Sequence, residues 1–566
     1  MTYAELNSGL PESLRQELNL GMFKAYDIRT KSSRLTSELM RRLVAAIGRY
    51  TLEVLDTRRI LLGRDGRIAA PSLMETALEL LPDMGIDVLV NPLPISTCQF
   101  YYSHMMNPDC AAVMLTASHN PGEYIGLKLM APGMKTLAMD SGPAGGITGI
   151  MAYYLDGAQE AGLQGRRGSF VAPSGRALGP GGAAVGGGAA SARPRRGKVE
   201  VRHYLEPFIE YSLRLAGVGR GSLAGVPILA DFLGGTAGTE VAEAFGYAGA
   251  DLRMRNLVPD GRLPAGDPNP GVARSIRGSR EMMGGGGFLC GICFDGDGDR
   301  MDMLDPWGEQ LSPSFNLSVL LPEVLGIFTK AHARGVFGKT ALWKPRIYAD
   351  VKTNPLALQA QARQGLDVTI IRNGHSFIKE ALREGFSRQY LAASEESAHY
   401  YMNFPLDLDD VGAGFAATEN TLFFSLLSAR IWAEHPERYE RAMSAQSGLV
   451  RQREWPCHFK DDALLENSLA EVECEFARRG LLIMKSMEDG QSLDATLMRS
   501  GLPEILDKDS DLSAPWYQIA QRNTRSEEGI ARWEVVANTE KDCREAVEVI
   551  RSITDKYVGQ GLAEYL

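Results

Sequence analysis

Short apolar runs alternate with amphipathic segments through the first part of the chain. Residues 36–55 carry apolar side chains at helical spacing, and the apolar run 60–62 then ends in a glycine-containing turn at 63–67. A second predicted helix, 72–83, is followed by a second predicted strand, 86–90. Strands that alternate with helices are typical of βαβ units. The pattern therefore predicts an α/β fold with a largely parallel sheet.

Similar patterns recur further along the chain. The segment 226–231 is a predicted strand that a turn of small residues follows, and 287–294 is a second apolar run. We predict a long helix at 412–434, and a last helix near 539–554 closes a region of more mixed patterning. These changes of pattern indicate four domains. Their predicted ranges are 1–198, 199–309, 310–435 and 445–566.

The composition shifts between about 141 and 198, inside the predicted first domain. From 161 to 198 the chain is dense in glycine, alanine, serine and arginine. Such a segment cannot bury enough apolar surface to offset its ordering entropy. We therefore expect an insertion that forms a mobile loop. A glycine loop that grips phosphate is the alternative, but no strand–loop–helix pattern surrounds the segment to support it.

The bulk composition is that of a globular protein. The 566 residues are 44% hydrophobic and 23% charged, with a formal net charge of −10. No apolar run approaches a membrane span, and the first residues lack the basic and apolar blocks of a secretory signal. We expect a cytoplasmic protein. The negative charge argues against nucleic-acid and membrane-surface partners, although a local cluster of arginine, lysine and metal can still bind small anionic substrates.

The seven cysteines are odd in number and scattered, which does not suggest a disulfide framework. Cys290 and Cys293 have redox or zinc spacing. They lie inside the apolar run 287–294, however, and the chain has no second pair with this spacing. We therefore predict that both cysteines belong to a buried strand.

A serine stands at the end of another predicted buried strand. Small and apolar residues from Cys110 lead into the polar turn at 116–121, which ends in proline. This pattern predicts that the strand delivers Ser118 to the mouth of a cleft. A serine becomes a useful phosphate carrier when a cation holds its phosphate and a nearby base takes its hydroxyl proton.

Three aspartates, Asp295, Asp297 and Asp299, alternate with glycines after the apolar run 287–294. The glycines let a tight loop turn all three carboxylates toward one hard cation. A calcium-binding EF-hand loop is excluded, because its glycine position holds Arg300 and its final glutamate position holds Pro306. Three carboxylates leave room for a further oxygen, as Mg²⁺ prefers, and a phosphorylated serine would supply it.

The unbroken segment Thr-Ala-Ser-His-Asn-Pro at 116–121, with the aspartate cluster downstream, strongly resembles the α-D-phosphohexomutases, the family of phosphomannomutase and phosphoglucomutase. The resemblance implies three related mixed-sheet α/β domains and a C-terminal α+β domain around a central cleft. It also implies a phosphate on Ser118. Asp295, Asp297, Asp299 and the phosphoserine would together hold Mg²⁺.

The same resemblance implies roles for four further residues around the serine. Lys128 matches the family's candidate general base, although Ile125 replaces an asparagine that is usual in its segment. Arg29 and His119 would handle protons and charge at the phosphoserine, and Arg300 would add positive charge.

Other positions match the substrate-binding loops of the family. These are Tyr26, Lys352, His375, Glu395, Ser397, His399, Arg522, Thr524 and Ser526. Glu395 and Ser397 would bind sugar hydroxyls, with Ala398 in place of a usual glycine. The last three residues of the list would hold a phosphate while the sugar turns, but Glu528 replaces the proline that ends this loop in the family.

These features lead us to expect a mutase that interconverts mannose 6-phosphate and mannose 1-phosphate, and also glucose phosphates, through a hexose 1,6-bisphosphate. The same bisphosphate would act as activator. We expect a monomer or dimer whose partners are small hexose phosphates. The alternatives are a phosphoglucosamine mutase, a phosphoserine hydrolase and a catalytically silent sugar-phosphate-binding paralogue. A silent paralogue would be expected to lose Ser118, Lys128 or an aspartate ligand, and all of these are present.

Overall fold

The computed structural model of the protein describes residues 2–8, 10–160, 195–523 and 529–566. Most of the predicted glycine-rich insertion lies outside the described residues. The described strands form four sheets, one in each successive part of the chain. None of the described helices is both long and apolar enough to span a membrane.

The first sheet is mixed, with parallel strands in its centre and antiparallel strands at one side. Its strands are β1 (Ile28–Lys31), β2 (Arg59–Arg64), β3 (Asp87–Pro94), β4 (Ala111–Leu115), β5 (Tyr124–Ala131), β6 (Lys135–Thr136) and β7 (Val199–Val201). Strand β7 pairs with β3. The first unit of the fold therefore continues past 198, where the sequence pattern placed its end.

Six α-helices accompany this sheet in the part of the chain that the structure describes. They are α1 (Tyr3–Ser8), α2 (Glu12–Glu17), α3 (Ser37–Glu53), α4 (Ala70–Asp83), α5 (Thr97–Met105) and α6 (Ile147–Glu160). Helix α3 shows why the periodicity predicted it well. The Thr36 hydroxyl caps its start by accepting from the Leu39 amide at 3.3 Å, and Leu43 and Ile47 follow at four-residue spacing on the buried face.

The second sheet is mixed in the same way. Its strands are β8 (Pro227–Asp231), β9 (Asp251–Arg255), β10 (Cys290–Phe294), β11 (Met301–Leu304) and β12 (Gln310–Leu311), and its helices are α7 (Leu205–Ala216), α8 (Gly238–Ala248) and α9 (Arg277–Gly284). Every residue of β10 is buried. Cys290 and Cys293 are free thiols in this strand, which confirms the buried-strand prediction.

The third sheet is also mixed. Its strands are β13 (Arg346–Asp350), β14 (Asp367–Ile371), β15 (Tyr390–Glu395), β16 (His399–Pro405) and β17 (Phe415–Glu419). The helices of this part are α10 (Pro313–Ala333), α11 (Pro355–Ala362), α12 (His375–Gly385), α13 (Thr421–Glu434) and α14 (Pro436–Ser447).

The predicted helix at 412–434 is wrong in its first part. Phe415–Glu419 forms β17, which pairs with β16, so sheet pairing overrides the helical spacing there. Helix α13 begins only after Asn420, whose side-chain oxygen accepts from the Phe423 amide at 2.9 Å.

The fourth sheet is entirely antiparallel. Its strands are β18 (Val450–Phe459), β19 (Leu482–Ser486), β20 (Ser492–Ser500), β21 (Tyr517–Asn523), β22 (Ile530–Ala537) and β23 (Ala563–Tyr565), and its helices are α15 (Asp462–Arg478) and α16 (Glu540–Gly559). This arrangement completes the expected four-domain architecture of three mixed α/β units and a C-terminal α+β unit.

The strand ends of the first three units meet at one cleft of about 830 Å³, and residues of the fourth unit complete its lining. The serine turn 116–121 follows β4, the aspartate loop 295–300 follows β10, and the turn 395–399 joins β15 to β16. Ligands in α/β proteins commonly bind at the carboxyl ends of parallel strands. The fold therefore brings three segments that are far apart in sequence to the same place.

Candidate active site

Ser118 lies at the floor of the cleft in a backbone conformation that is unusual for a residue with a side chain. Its φ is +51°, and the Thr116 hydroxyl accepts from its amide at 2.8 Å. The Ser118 hydroxyl donates to Asp295 Oδ2 over 3.2 Å and lies 3.1 Å from His119 Nδ1. The turn after β4 therefore aims this hydroxyl directly at the aspartate loop.

The serine turn is held from beneath by Arg67, whose side chain is only 5% exposed. Its guanidinium donates to four backbone carbonyl oxygens of the turn and of the start of β5. The acceptors are those of Ser118, Asn120, Pro121 and Tyr124, at 2.7–2.9 Å. The sequence reasoning missed this contact. One feature could have indicated it. Arg67 follows β2, which is a parallel neighbour of β4, so the segments after both strands lie at the same edge of the sheet.

Asp295, Asp297 and Asp299 are completely buried, and their carboxylate oxygens are close enough together to hold one ion. Among the described residues, Asp297 Oδ1 and Asp299 Oδ1 have no hydrogen-bond partner. A buried carboxylate oxygen without a partner is costly, and a bound cation removes that cost. Three hard oxygen ligands suit Mg²⁺ well. The residues therefore fit a divalent metal site.

The remaining oxygens of the aspartate loop already have donors. Asp297 Oδ2 accepts from the hydroxyls of Thr97 (2.6 Å) and Thr116 (3.0 Å) and from Lys128 Nζ (2.7 Å). Lys128 also donates to Asp299. Burial alone would lower the pKa of Lys128, but these two carboxylates outweigh it and hold that pKa well above its ordinary value. Lys128 is therefore an ammonium group in this structure.

Two histidines stand beside these charges. Arg300 Nε donates to His399 Nε2 at 3.1 Å, while His399 Nδ1 lies 3.8 Å from both Asp299 and Glu419. Burial, followed by the positive charge of Arg300, lowers the pKa of His399 and that of His119 well below the ordinary value. Both imidazoles are therefore neutral at pH 7 and can accept a proton.

Arg29 and Tyr26 reach the site from the start of the chain. Arg29 donates to Asn120 Oδ1 in the serine turn and pairs with Asp27. The Tyr26 hydroxyl donates to the Asn373 carbonyl over 3.4 Å. The Tyr26 contact joins the first unit to the third unit, whereas both Arg29 contacts lie within the first unit.

The predicted sugar-binding residues line the same cleft. Glu395 Oε1 accepts from the Gly374 amide at 3.0 Å and from Asn373 Nδ2 at 3.2 Å, and its other oxygen accepts from the Tyr401 hydroxyl. The Glu395 carboxylate is therefore already held by neighbours in the protein. Ser397, His399 and His375 also line the cleft.

The fourth unit contributes Arg522, which pairs with Glu454 at 2.6 Å. Lys352 Nζ of the third unit lies 3.8 Å from the same carboxylate. Burial would raise the pKa of Glu454, but the charges of Arg522 and Lys352 outweigh it and lower that pKa to about 2. Glu454 had no sequence signal, because it belongs to no motif. Thr524 and Ser526, the other predicted phosphate ligands, lie outside the described residues.

Three family models match the chain, one for each of its first three units. They describe the phosphoglucomutase/phosphomannomutase α/β/α domains I, II and III, and they match residues 21–140, 206–308 and 324–433. The chain belongs to the phosphoglucomutase/phosphomannomutase family. Membership of this phosphohexomutase family confirms the resemblance carried by the serine turn. It makes the protein an isomerase of carbohydrate metabolism that moves phosphoryl groups.

Sequence relatives of this phosphohexomutase include both types of enzyme in the family name. A phosphomannomutase of Salmonella montevideo is 26% identical over 389 residues, which cover 68% of this chain and 73% of the relative. A phosphoglucomutase of Neisseria gonorrhoeae is 28% identical over 382 residues, which cover 67% and 70%. The relatives thus leave open the choice of sugar.

Solved structures share the phosphohexomutase fold over almost the whole chain. A phosphoglucomutase/phosphomannomutase family protein of Burkholderia thailandensis matches with a TM-score of 0.65 at 17% identity, covering 96% of this chain and 99% of that one. An N-acetylphosphoglucosamine mutase of Aspergillus fumigatus, solved with GlcNAc-6P and magnesium, matches with a TM-score of 0.52 at 13% identity and covers 96% and 99%. At these identities the likeness concerns the fold.

Proposed function

We propose that this phosphohexomutase interconverts mannose 6-phosphate and mannose 1-phosphate, and also the glucose phosphates, through a phosphoserine at Ser118 and a hexose 1,6-bisphosphate. One observation carries the proposal. The Ser118 hydroxyl donates to Asp295 Oδ2 over 3.2 Å, so a phosphate on that serine would stand against three buried carboxylates that fit a metal. The cleft of about 830 Å³ has room for a bisphosphate to turn.

Asp295, Asp297 and Asp299 would hold Mg²⁺ together with the phosphate on Ser118. The orphaned oxygens of Asp297 and Asp299 support this assignment. When bound, the cation neutralises negative charge on the phosphoryl group that is being transferred.

The phosphoryl group would pass from Ser118 to the free hydroxyl of the sugar phosphate. The bond between Ser118 Oγ and phosphorus breaks while a new bond forms to the sugar oxygen, whose proton leaves to a base. The bisphosphate then turns over in the cleft, and its other phosphate returns to Ser118. In-line positioning and electrostatic stabilisation would supply most of the rate enhancement.

We assign the charge and proton handling to the groups around the serine. His119 Nδ1 lies 3.1 Å from Ser118 Oγ, and His119 would exchange a proton with that oxygen. Arg29 and Arg300 would stabilise phosphate charge. Lys128 would do the same as an ammonium group. It would also remove the proton of the accepting hydroxyl, which requires its hydrogen bonds to Asp297 and Asp299 to break.

The opposite wall would bind the sugar and the phosphate that is not reacting. Arg522 offers a forked cation that suits a phosphate, and Thr524 and Ser526 would add hydroxyl donors. The other proposed substrate contacts are Tyr26, Lys352, His375, Glu395, Ser397 and His399. For Glu395 to bind sugar hydroxyls, it must share oxygens that already accept from Asn373, Gly374 and Tyr401.

A coupled assay with Mg²⁺ and a trace of glucose 1,6-bisphosphate tests the proposal. Mannose 1-phosphate, glucose 1-phosphate and glucosamine 1-phosphate are compared side by side. Isomerisation of the first supports the proposal, whereas conversion of the third alone would indicate a phosphoglucosamine mutase. Release of free phosphate would indicate a hydrolase. No conversion by folded protein that carries phosphate on Ser118 would indicate a silent binder.

The Ser118→Ala variant isolates the nucleophile. It should lose turnover and the phosphoserine detected by mass spectrometry, while its binding of hexose phosphate remains measurable. Ser33→Ala is the matched control, because Ser33 is exposed on the surface of the same unit. Undiminished turnover in Ser118→Ala would overturn the assignment.

A further inference from the structure

A second cavity, of about 110 Å³, lies between the third and fourth units and shares no lining residue with the cleft. Its walls are mostly apolar. Leu358 and Ile370 come from the third unit, and Leu493 and Leu506 come from the fourth. Such a cavity at a junction between units is a common position for a small-molecule site.

One buried cation lines this cavity. Arg499, on β20, is 1% exposed. Its Nε donates to Gln518 Oε1 at 3.0 Å, and its Nη1 donates to the carbonyls of Glu504 (2.8 Å) and Pro503 (3.3 Å). Its Nη2 is buried and has no hydrogen-bond partner in the described part of the chain. Every partner that Arg499 has is therefore a neutral oxygen.

The charge of Arg499 is uncompensated. None of the ion pairs within the described ranges includes it, and burial by itself lowers the pKa of Arg499 to about 10. An arginine nevertheless stays protonated at neutral pH. A buried charge without a counter-ion is strongly unfavourable, and the planar guanidinium fork matches the two oxygens of a carboxylate. The cavity thus presents an unused donor and an unpaired positive charge.

We propose that this cavity binds a small organic carboxylate with a branched apolar body. The carboxylate would accept from Arg499 Nη2 and neutralise the guanidinium. The apolar body would pack against Leu358, Ile370 and Leu493. A cavity of this volume also has room for several water molecules, and Ser486, Glu488 and Glu504 line it besides Arg499.

The cavity is separate from the sugar-phosphate cleft, but its Arg499 contacts β21, the strand that carries Arg522. Gln518 accepts from Arg499 and donates to the Thr353 carbonyl at 3.0 Å, beside Lys352. Gln518 and Arg522 both belong to β21. A ligand bound to Arg499 would therefore be linked, through Gln518, to the hydrogen bond that joins β21 to the third unit. The binding proposal itself does not depend on the proposed mutase activity.

The probes are isovalerate and its primary amide, which have the same branched body and differ in charge. Calorimetric titration into the full chain should show saturable binding of isovalerate that is about tenfold tighter than that of the amide. Arg499→Gln should weaken isovalerate binding about tenfold. Arg522→Ala should leave it unchanged, because that arginine lies in the cleft and is paired with Glu454.

A second variant keeps the test decisive if Arg499→Gln fails to fold. Ser486 is exposed and lines the cavity, so Ser486→Trp should block the cavity from its surface side. Lys485→Trp is the matched control, because Lys485 does not line the cavity and instead pairs with Glu473 at 2.7 Å. Isovalerate binding should be lost in the first variant and kept in the second.

Three results would overturn the proposal. Absence of saturable isovalerate binding at about 10 mM would show that the cavity holds only water. Equal affinity for the acid and the amide would show that Arg499 does not select the charge. Equal binding by the Ser486→Trp and Lys485→Trp variants would place any bound carboxylate elsewhere on the protein.

Discussion

The Arg67 guanidinium donates to the backbone carbonyl of Ser118 over 2.8 Å, in buried surroundings. The same guanidinium donates to three more carbonyls that follow Ser118 in the chain. A side chain in the loop that follows β2 therefore fixes the turn that follows β4. Because Ser118 has a positive φ, its conformation depends on such external support.

Arg67→Met should lower kcat about 10²-fold, because a small displacement of the nucleophile is enough to cause such a loss. Arg67 is a positioning residue, so KM for the hexose phosphate should change little. The informative readout is the rate at which Ser118 takes phosphate from glucose 1,6-bisphosphate, measured by mass spectrometry. That rate should fall together with kcat.

Arg64→Met is the matched control for Arg67→Met. Arg64 ends β2, but its guanidinium donates to the carbonyls of Pro92 and Asp65 and does not contact the serine turn. Similar phosphorylation rates in the two variants would contradict the positioning role. The positioning role would also be contradicted if the lower phosphorylation rate of Arg67→Met were fully explained by a lower Tm of that variant.

The contrast between Ser118 and Arg67 shows what the sequence could reveal. The serine turn and the aspartate loop are each a contiguous motif in the sequence, so their chemistry could be predicted without the fold. Helices such as α4 were likewise predictable, because one apolar face repeats at regular spacing within 14 residues.

Contacts between distant segments were not predictable in this way. Arg67 meets Ser118 across 51 residues, and Glu454 meets Arg522 across 68. Neither pair shares a motif, and an arginine or a glutamate alone is more often a surface residue. Only the pairing of β2 with β4, and the pairing of β18 and β21 with the strand β22 between them, bring these groups together.

Asp297→Asn should weaken Mn²⁺ binding on the order of 10²-fold, because it replaces a carboxylate whose Oδ1 lacks any hydrogen-bond partner within the described residues. Electron paramagnetic resonance measures that affinity without any turnover. Asp302→Asn is the control, since the Asp302 carboxylate belongs to the same stretch but accepts from Gln310 instead. Equal Mn²⁺ affinities in the two variants would place the metal elsewhere.

Arg522→Ala should raise KM for hexose monophosphates about tenfold while the phosphoserine content stays normal, because the lost cation would contact the phosphate that is not reacting. Steady-state kinetics and mass spectrometry measure the two quantities. Arg479→Ala is the control, since Arg479 pairs with Glu475 at 3.0 Å on the surface of the same unit. An unchanged KM in Arg522→Ala would place the substrate phosphate away from the fourth unit.

Glu240, on α8, carries a carboxyl group that is 1% exposed, and its Oε1 has no hydrogen-bond partner in the described ranges. Burial raises its pKa to about 8. The same group in an unfolded chain has a pKa of about 4.3. Between these two values the folded state keeps a proton that the unfolded state has lost. Raising the pH from 5 to 8 therefore removes about 1.4 kcal/mol of unfolding free energy per pH unit through this group.

Glu240→Gln should abolish this contribution, because an amide of the same shape does not titrate. The Tm of the variant should rise relative to that of the unchanged protein as the pH increases from 5 to 8. Glu243→Gln is the control, since Glu243 is exposed on the same helix, and its Tm difference should stay flat. Differences in Tm are the suitable measure, because a chain of four units need not unfold in two states. Parallel Tm curves for Glu240→Gln and the unchanged protein would mean that Glu240 is already ionised in the folded state, and that a polar partner compensates for its burial.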